Sequence, residues 1–415
     1  DVVMFEEPWV KVAVTGDRNQ DNKVDYQDGA IARRDDCQKD GQKSDAYGYE
    51  TVMGSYNTIA MDVGSAAQYP FLRILDNIKK MSLGLDNFPQ TVIIKGYNGQ
   101  GHDSNNNDFA NYNQAAGGLT DFKTLLSKSE DYNTSIGIHI NETETYPESS
   151  TYGRLATSLG GWPWYDVARL IHHDNDSLDK SDEGMAARLD QLNEDTEGML
   201  DLIYVDVYHK TRWTMYSLVN KVNSMGIPMA TEYPSALDQH SVWAHHVGGH
   251  ITQDNLAGNL IRFVNNQYQD IFGSSSLFRG TNRVSGINGW QNASDYNGSL
   301  EHFYTSVLPN RFLVQYPIMQ WENANEVVLG EELNVVTKME NGTNVITLDG
   351  NEVARGNNIF IPFTVDGVEK IYHWNPNGGE STWTLPKTFE GQTSVKVFKL
   401  SDQGRTDMKT VEAKD

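Results

Sequence analysis

The sequence predicts a parallel (β/α)8 TIM-type barrel over residues 1–325 and an all-β sandwich over residues 326–415. Three observations predict it. Between residues 58 and 321 short apolar runs alternate with amphipathic stretches, and strand alternating with helix this often builds a parallel sheet covered by helices. Most of the runs end in polar or aromatic residues, at the strand ends where barrels carry their chemistry. Beyond about residue 326 the pattern turns to period-two alternation broken by Asn-Gly, Asp-Gly and Gly-Gly turns, as antiparallel hairpins require. A chain of 415 residues accommodates both units, since such a barrel takes roughly 250 residues.

The runs expected as barrel strands are NTIAMDVG, TVIIKGY, IGIHINE, LIYVDVY, IPMATEY, WAHHVGG, SSLFRG and FLVQYPIMQW. Between them FLRILDNIKKMSL, DFKTLLSKSE, EGMAARLDQLNEDTEGMLDLI, WTMYSLVNKVNSMG and NLIRFVNNQYQDIF repeat apolar residues at three and four, the spacing that buries one helix face. The strand ends expected to carry function are Asp62, Lys95 to Tyr97, Asn141 and Glu142, Asp206 to Tyr208, and Glu232 and Tyr233. In the second unit NVVTKM, TNVITLDG, NIFIPFTV, EKIYHWN, STWTLP and SVKVFKL are the expected strands of a sandwich packed on the barrel.

Composition excludes several classes of function. Lys and Arg number 33 against 56 Asp and Glu, a formal net charge of −23. Such a surface repels phosphate backbones and anionic lipid, so no nucleic acid and no membrane insertion is expected. No apolar run is long enough to suggest a span. The single cysteine, Cys37, rules out an intrachain disulfide and a Cys-based zinc site. Histidines 172–173, 245, 246 and 250 have no carboxylate at a ligand-like offset and carry little weight.

Asp206 lies within LIYVDVY among residues that favour strand and core. A carboxylate there costs free energy unless it is hydrogen-bonded or put to use. Glu232 occupies the matching position in the next run, IPMATEY. Adjacent strands lie about 4.8 Å apart, so equivalent strand-end carboxyls reach about 5–5.5 Å, the separation of a retaining glycosidase. Two capping or solvated acids would satisfy the same spacing, and the pair names no substrate.

Several segments together resemble glycoside hydrolase family 101, the endo-α-N-acetylgalactosaminidases that release Gal-β1,3-GalNAc from Ser or Thr of mucin-type glycoproteins. They are GDRNQDNKVDYQDGAIARR at 16–34, IAMDVGSAAQYPFLRILDNIKK at 59–80, IIKGYNGQGHDS at 93–104, GIHINETETYPES at 137–149, GGWPWYD at 160–166, IYVDVY at 203–208, ATEYPS at 230–235 and GWQNASDY at 289–296. TWTLP and FKLSDQGRT continue the likeness near the C-terminus. The resemblance implies a secreted or cell-surface enzyme acting on O-glycosylated glycoproteins. It implies Asp206 as nucleophile and Glu232 as acid and base. It further implies sugar contacts from Asp103, Asn141, the Trp162 and Trp164 pair, and Gln291.

The chain departs from the family's pattern around the sugar. Tyr208 and Tyr233 stand where the family carries Trp, and Tyr268, between Gln267 and Gln269, stands where it carries Gln. Asn141-Glu142-Thr143 replaces an Asn-Ala-Ser motif, and Asp166-Val167 replaces Asp-Gln. Tyr208, Tyr233 and Tyr268 are therefore expected against the glycan with altered preference. Two alternatives stay open: a related α-N-acetylgalactosaminide hydrolase taking single GalNAc, an extended core or an α-galactosamine polymer, and a non-catalytic carbohydrate-binding barrel.

Residues 17–28, DRNQDNKVDYQD, place oxygens at positions one, three, five, nine and twelve of a loop: Asp17, Asn19, Asp21, Asp25 and Asp28. The Lys23 carbonyl falls at position seven. That is the spacing of an EF-hand or dockerin loop, and a structural Ca2+ is expected there, with none needed for catalysis. Asn22 holds the position usually given to Gly, and Asn tolerates the positive φ of the sharp turn.

Overall fold

The computed structural model describes residues 10–39, 54–59, 69–101, 107–156, 169–170, 184–206, 208, 212–232, 241–244, 262–263, 276–279, 295–323 and 325–413. The first half is a parallel sheet with helices between its strands. After helix α1 (Tyr26–Lys39) come strand β1 (Gly54–Ile59), α2 (Phe71–Gly84), β2 (Gln90–Lys95), α3 (Gly118–Ser129) and β3 (Thr134–Ile140). A short β4 (Glu144–Thr145) pairs with β5 (Arg169–Leu170), with a single helical turn, α4 (Tyr152–Leu155), between them. Then follow α5 (Met185–Asp195), β6 (Leu202–Val205), α6 (Arg212–Ser224), β7 (Met229–Thr231) and β8 (Ser241–Ala244). The sheet order is β1-β2-β3-β6-β7-β8, and every adjacent pair is parallel.

The strands separate two cores by parity, because successive side chains point to opposite faces. Val92, Ile94, Ile136, Ile138, Ile140, Ile203, Val205 and Met229 join the large cluster. Phe71, Ile74, Ile78 and Met81 of α2, Phe122 and Leu125 of α3, Leu189 and Leu192 of α5, and Leu218 and Val222 of α6 belong to the same cluster. The alternate residues Ile93, Leu202, Tyr204 and Ala230 form a second, small cluster. Gly137 shares that face: a Cβ there would lie 2.9 Å from Leu202 Cβ and 3.1 Å from its carbonyl oxygen. Leu202 fills the room a side chain would take.

The run SSLFRG does not supply a strand where described: residues 276–279 are turn, and Leu277 and Phe278 are fully buried. FLVQYPIMQW is divided. Its first residues end helix α8 (Leu308–Val314), which follows α7 (Tyr296–His302) and one π-helical stretch, and its last enter β9 (Ile318–Asn323). That strand belongs to the second sheet rather than the first. An apolar run of this length satisfies helix and strand alike, and Pro317 ends the helical part.

The second sheet orders β15-β14-β13-β12-β11-β10-β9, a meander of β9, β10 (Glu326–Leu329), β11 (Val335–Glu340), β12 (Thr343–Leu348), β13 (Asn351–Arg355), β14 (Asn358–Val365) and β15 (Val368–Trp374). A hairpin, β16 (Ser394–Ser401) with β17 (Gly404–Glu412), completes the C-terminal β-sandwich module. The antiparallel sheet thus begins at Ile318, ahead of residue 326, and STWTLP forms no strand. Asn341, Asp349 and Asp366 hold positive φ at the turns, each followed by a Gly, as primed hairpin turns require.

Asp86, in the positive-φ turn after α2, joins the two units. Its carboxylate takes Lys370 Nζ at 2.9 Å and Arg405 Nη2 at 2.6 Å. Asn87 and Asn133 donate to the two oxygens of Asp366 at 2.8 and 3.0 Å. Phe88 inserts among Phe303, Phe363 and Tyr372 with centroids 5.0, 5.1 and 6.0 Å away. Among the described residues no helix is long and apolar enough to cross a membrane.

Candidate active site

Asp206 and Glu232 continue the strand ladders by one step. Ile140 pairs with Val205 and Val205 with Thr231. Beyond these pairs Asp206 N–H donates to the Ile140 carbonyl at 2.8 Å, and Glu232 N–H to the Val205 carbonyl at 3.0 Å. Asn141, Asp206 and Glu232 therefore stand side by side at the carboxyl ends of β3, β6 and β7. Two residues back, Tyr204 and Ala230 belong to the small cluster, so both acids fall on that same face. Sequence spacing proposed this adjacency; the ladder hydrogen bonds establish it.

The Asp206 side chain is 15% exposed. A carboxylate so far removed from water needs polar partners, and two side chains meet its oxygens. Tyr204 Oη donates to Oδ1 at 3.3 Å, and His139 Nε2 lies 3.3 Å from Oδ2. The His139 imidazole stacks on the Tyr204 ring, centroids 5.5 Å apart and 23° between planes. Lys95 Nζ lies 5.7 Å from the centroid of that ring. Lys95, His139 and Tyr204 are all buried, and they occupy one row across β2, β3 and β6. The sequence carried a signal for them: a Lys and a His interrupt apolar runs at the parity of the strand-end acids.

Asn141 is engaged by its own turn. Its Oδ1 accepts from Thr143 N–H at 3.0 Å, Thr143 Oγ1 at 3.2 Å and Glu144 N–H at 3.1 Å. Its Nδ2 donates to Glu144 Oε2 at 2.9 Å. The amide thus builds the buried turn that redirects the chain after β3, as Asx side chains do. Tyr208 is 2% exposed and packs in the large hydrophobic cluster. Asp103, Trp162, Trp164, Tyr233, Tyr268 and Gln291 lie outside the described residues, as do the histidine clusters.

The 17–28 loop is wound by its own acids. Asn22 N–H donates to Asp17 Oδ2 at 3.0 Å, Asp21 N–H to Asn19 Oδ1 at 3.3 Å, and Lys23 N–H to Asp21 Oδ1 at 2.8 Å. Asp25 N–H reaches Asp28 Oδ2 at 2.8 Å, and Gln27 N–H reaches Asp25 Oδ1 at 2.8 Å. Gln20 and Asn22 have φ of 62° and 64°. Burial pushes the Asp28 carboxyl up, but backbone N–H groups, those of Arg18 and Asp25 foremost, bring it below its ordinary value. Among the described residues no group of three or more His, Cys, Asp or Glu side chains is placed to hold a metal ion. The loop packs on the second sheet: Gln320 Nε2 donates to the Asn19 carbonyl at 2.7 Å and Trp321 N–H to Gln27 Oε1 at 2.8 Å.

The chain is similar to known proteins in both halves. The family model described as endo-α-N-acetylgalactosaminidase matches residues 27–300, and that of the glycosyl hydrolase 101 β-sandwich domain matches residues 306–406. A protein of Renibacterium salmoninarum, carried under the provisional name endo-α-N-acetylgalactosaminidase, is 35% identical over 420 aligned residues covering 96% of this chain. The chain spans only 27% of that relative's length. Two solved structures of the α-N-acetylgalactosaminidase NagBb of Bifidobacterium bifidum share the fold. The ligand-free form superposes with a TM-score of 0.54 at 13% identity, over 78% of this chain and 62% of its own. The GalNAc complex does so at 0.52 and 12%, over 84% and 63%. Match by match, from residue 27 to residue 406, the chain belongs to glycoside hydrolase family 101.

Proposed function

We propose that this chain is the catalytic portion of a retaining endo-α-N-acetylgalactosaminidase that cleaves the GalNAc-α-Ser/Thr bond of O-glycosylated proteins outside the cell and releases Gal-β1,3-GalNAc. The observation that carries the proposal is the placing of Asp206 and Glu232 in register on neighbouring strands, on one face. In the first step an Asp206 oxygen bonds to the anomeric carbon while the glycosidic C–O bond breaks. Glu232 gives its proton to the leaving Ser or Thr oxygen. In the second step water attacks the same carbon, its proton passes to Glu232, and the Asp206 carboxylate departs. Two inversions return the α-anomer. Asp103, Trp162, Trp164, Tyr233, Tyr268 and Gln291 are proposed to line the glycan, on the family resemblance.

The six parallel strands are read as the described part of a closed barrel. Their unbroken order, and an inner face that holds its own small cluster, support this. The 17–28 loop is further proposed to take a structural Ca2+ through Asp17, Asn19, Asp21, Asp25, Asp28 and the Lys23 carbonyl. All-oxygen donors and the two positive-φ turns support it.

Hydrolysis of nitrophenyl α-glycosides, followed by NMR, tests the central proposal. Preference for the Gal-β1,3-GalNAc glycoside with the α-anomer appearing first is expected. Preference for the single GalNAc glycoside would transfer the assignment to the monosaccharide enzyme. A β-anomer appearing first would remove Asp206 as nucleophile.

A further inference from the structure

The double displacement names two acids, yet three strands contribute side chains to the underside of one of them. We propose that Tyr204 and His139 are positioning residues for the Asp206 carboxylate, one at each of its oxygens, with Lys95 polarising the Tyr204 ring. The proposal rests on Asp206 being the nucleophile.

The terminal torsion of an Asp side chain is broad and has little preference of its own. A nucleophilic carboxylate that swings loses the in-line approach on which its rate depends. Here Tyr204 Oη holds Oδ1 at 3.3 Å and His139 Nε2 stands 3.3 Å from Oδ2. The Tyr204 hydroxyl on one oxygen and His139 Nε2 packed against the other limit both the plane and the direction of the group. Each partner is itself held: Tyr204 and His139 stack at 5.5 Å and are 1% and 2% exposed. The Lys95 ammonium, 5.7 Å from the Tyr204 centroid and 4% exposed, draws on the ring's electrons. That makes the phenol a stronger donor.

The same contacts serve both halves of the reaction. When one oxygen of Asp206 bonds to the sugar, the other becomes the carbonyl of the glycosyl ester. A donor left on that carbonyl polarises the ester and eases expulsion of the carboxylate when water attacks. As the carboxylate reforms, the donor meets a full charge again, and hydrogen bonds to charged groups are the stronger ones.

Tyr204 also belongs to the inner apolar cluster, and packing alone would predict a different result. Tyr204→Phe keeps the ring and removes only the hydroxyl. It is expected to lower kcat roughly 10- to 100-fold, the value of one charge-assisted hydrogen bond, with KM within about twofold and melting temperature close to wild type. His139→Leu keeps volume and loses the ring nitrogen beside Oδ2, so a similar fall is expected. His139→Gln returns a polar nitrogen at comparable reach and is expected to recover most of the loss, which a packing role would not produce. Wild-type kcat in a folded Tyr204→Phe protein, or equal kcat in His139→Leu and His139→Gln, would overturn the inference. Asp206→Ala, assayed beside them, separates the two assignments. If it is inactive while the Tyr204 and His139 variants work normally, positioning alone fails. If it is active, the nucleophile assignment falls and the inference with it.

Discussion

Glu232 continues the ladder on Val205, the residue immediately before Asp206: its N–H donates to the Val205 carbonyl at 3.0 Å. The backbone of one acid is thereby tied to the strand that carries the other. Their spacing is a property of the sheet rather than of two mobile loops, and sites built on strands hold geometry more closely than sites on loops. Their relative position therefore cannot drift far.

Separate loss of each acid distinguishes the roles. Asp206→Ala is expected to abolish turnover of every glycoside, activated or natural. Glu232→Gln should retain much of its activity on a dinitrophenyl glycoside, whose leaving group needs no proton in the first step, and azide should accelerate the second. Equal inactivity of both variants on the activated substrate, with no azide effect, would contradict the division of labour.

Gly137 tests the inner layer. A Cβ at this position meets Leu202 Cβ at 2.9 Å and the Leu202 carbonyl oxygen at 3.1 Å. Backbone cannot swing aside as a side-chain tip does. Gly137→Ala is expected to cost about 1–3 kcal/mol of stability, the usual range for overpacking a core, measured by urea denaturation. Wild-type stability would mean that the inner layer is loosely packed.

Asp86 ties the turn after α2 to the C-terminal module. Burial raises its carboxyl, but hydrogen bonds from Arg405 and Lys370 outweigh this and hold it below its ordinary value. A folded-state value below the unfolded one means that the contribution is present above the unfolded carboxylate range. It is lost as pH falls through the depressed folded value. Asp86→Asn is therefore expected to cost about 1–3 kcal/mol near neutral pH. The difference from wild type should shrink on acidification. A pH-independent difference would show that the cost is packing rather than charge.

The 17–28 loop is anchored to β9 through Gln320 and Trp321, so loss of a bound cation would loosen the second sheet as well. Chelation by EGTA is expected to lower the melting temperature by several degrees, and Ca2+ but not Mg2+ should restore it, since a flexible oxygen cage suits the larger ion. A melting curve indifferent to EGTA would leave the loop as a turn closed by its own acids.

Much of this molecule was legible from residue order, for identifiable reasons. The two acids stood out because a carboxylate in an apolar strand is costly unless it is hydrogen-bonded or put to use. The hairpin module showed itself through Asn341-Gly342, Asp349-Gly350 and Asp366-Gly367, whose positive φ values are found where expected. FLVQYPIMQW misled because apolar character alone does not distinguish a buried helix from a buried strand, and Ile318–Asn323 joins the second sheet. For Asn141 and Tyr208, position in a motif does not reveal which neighbours a side chain engages. In the fold, Asn141 closes its own turn and Tyr208 packs in the large cluster.

By itself the sequence determined the parallel order of strands and helices, the family, and the two acids at successive strand ends, because periodicity and local chemistry are written along the chain. Only tertiary structure decided that His139 and Tyr204 meet the oxygens of Asp206. Parallel pairing brings together residues from strands far apart in sequence, and register selects which of them face one another.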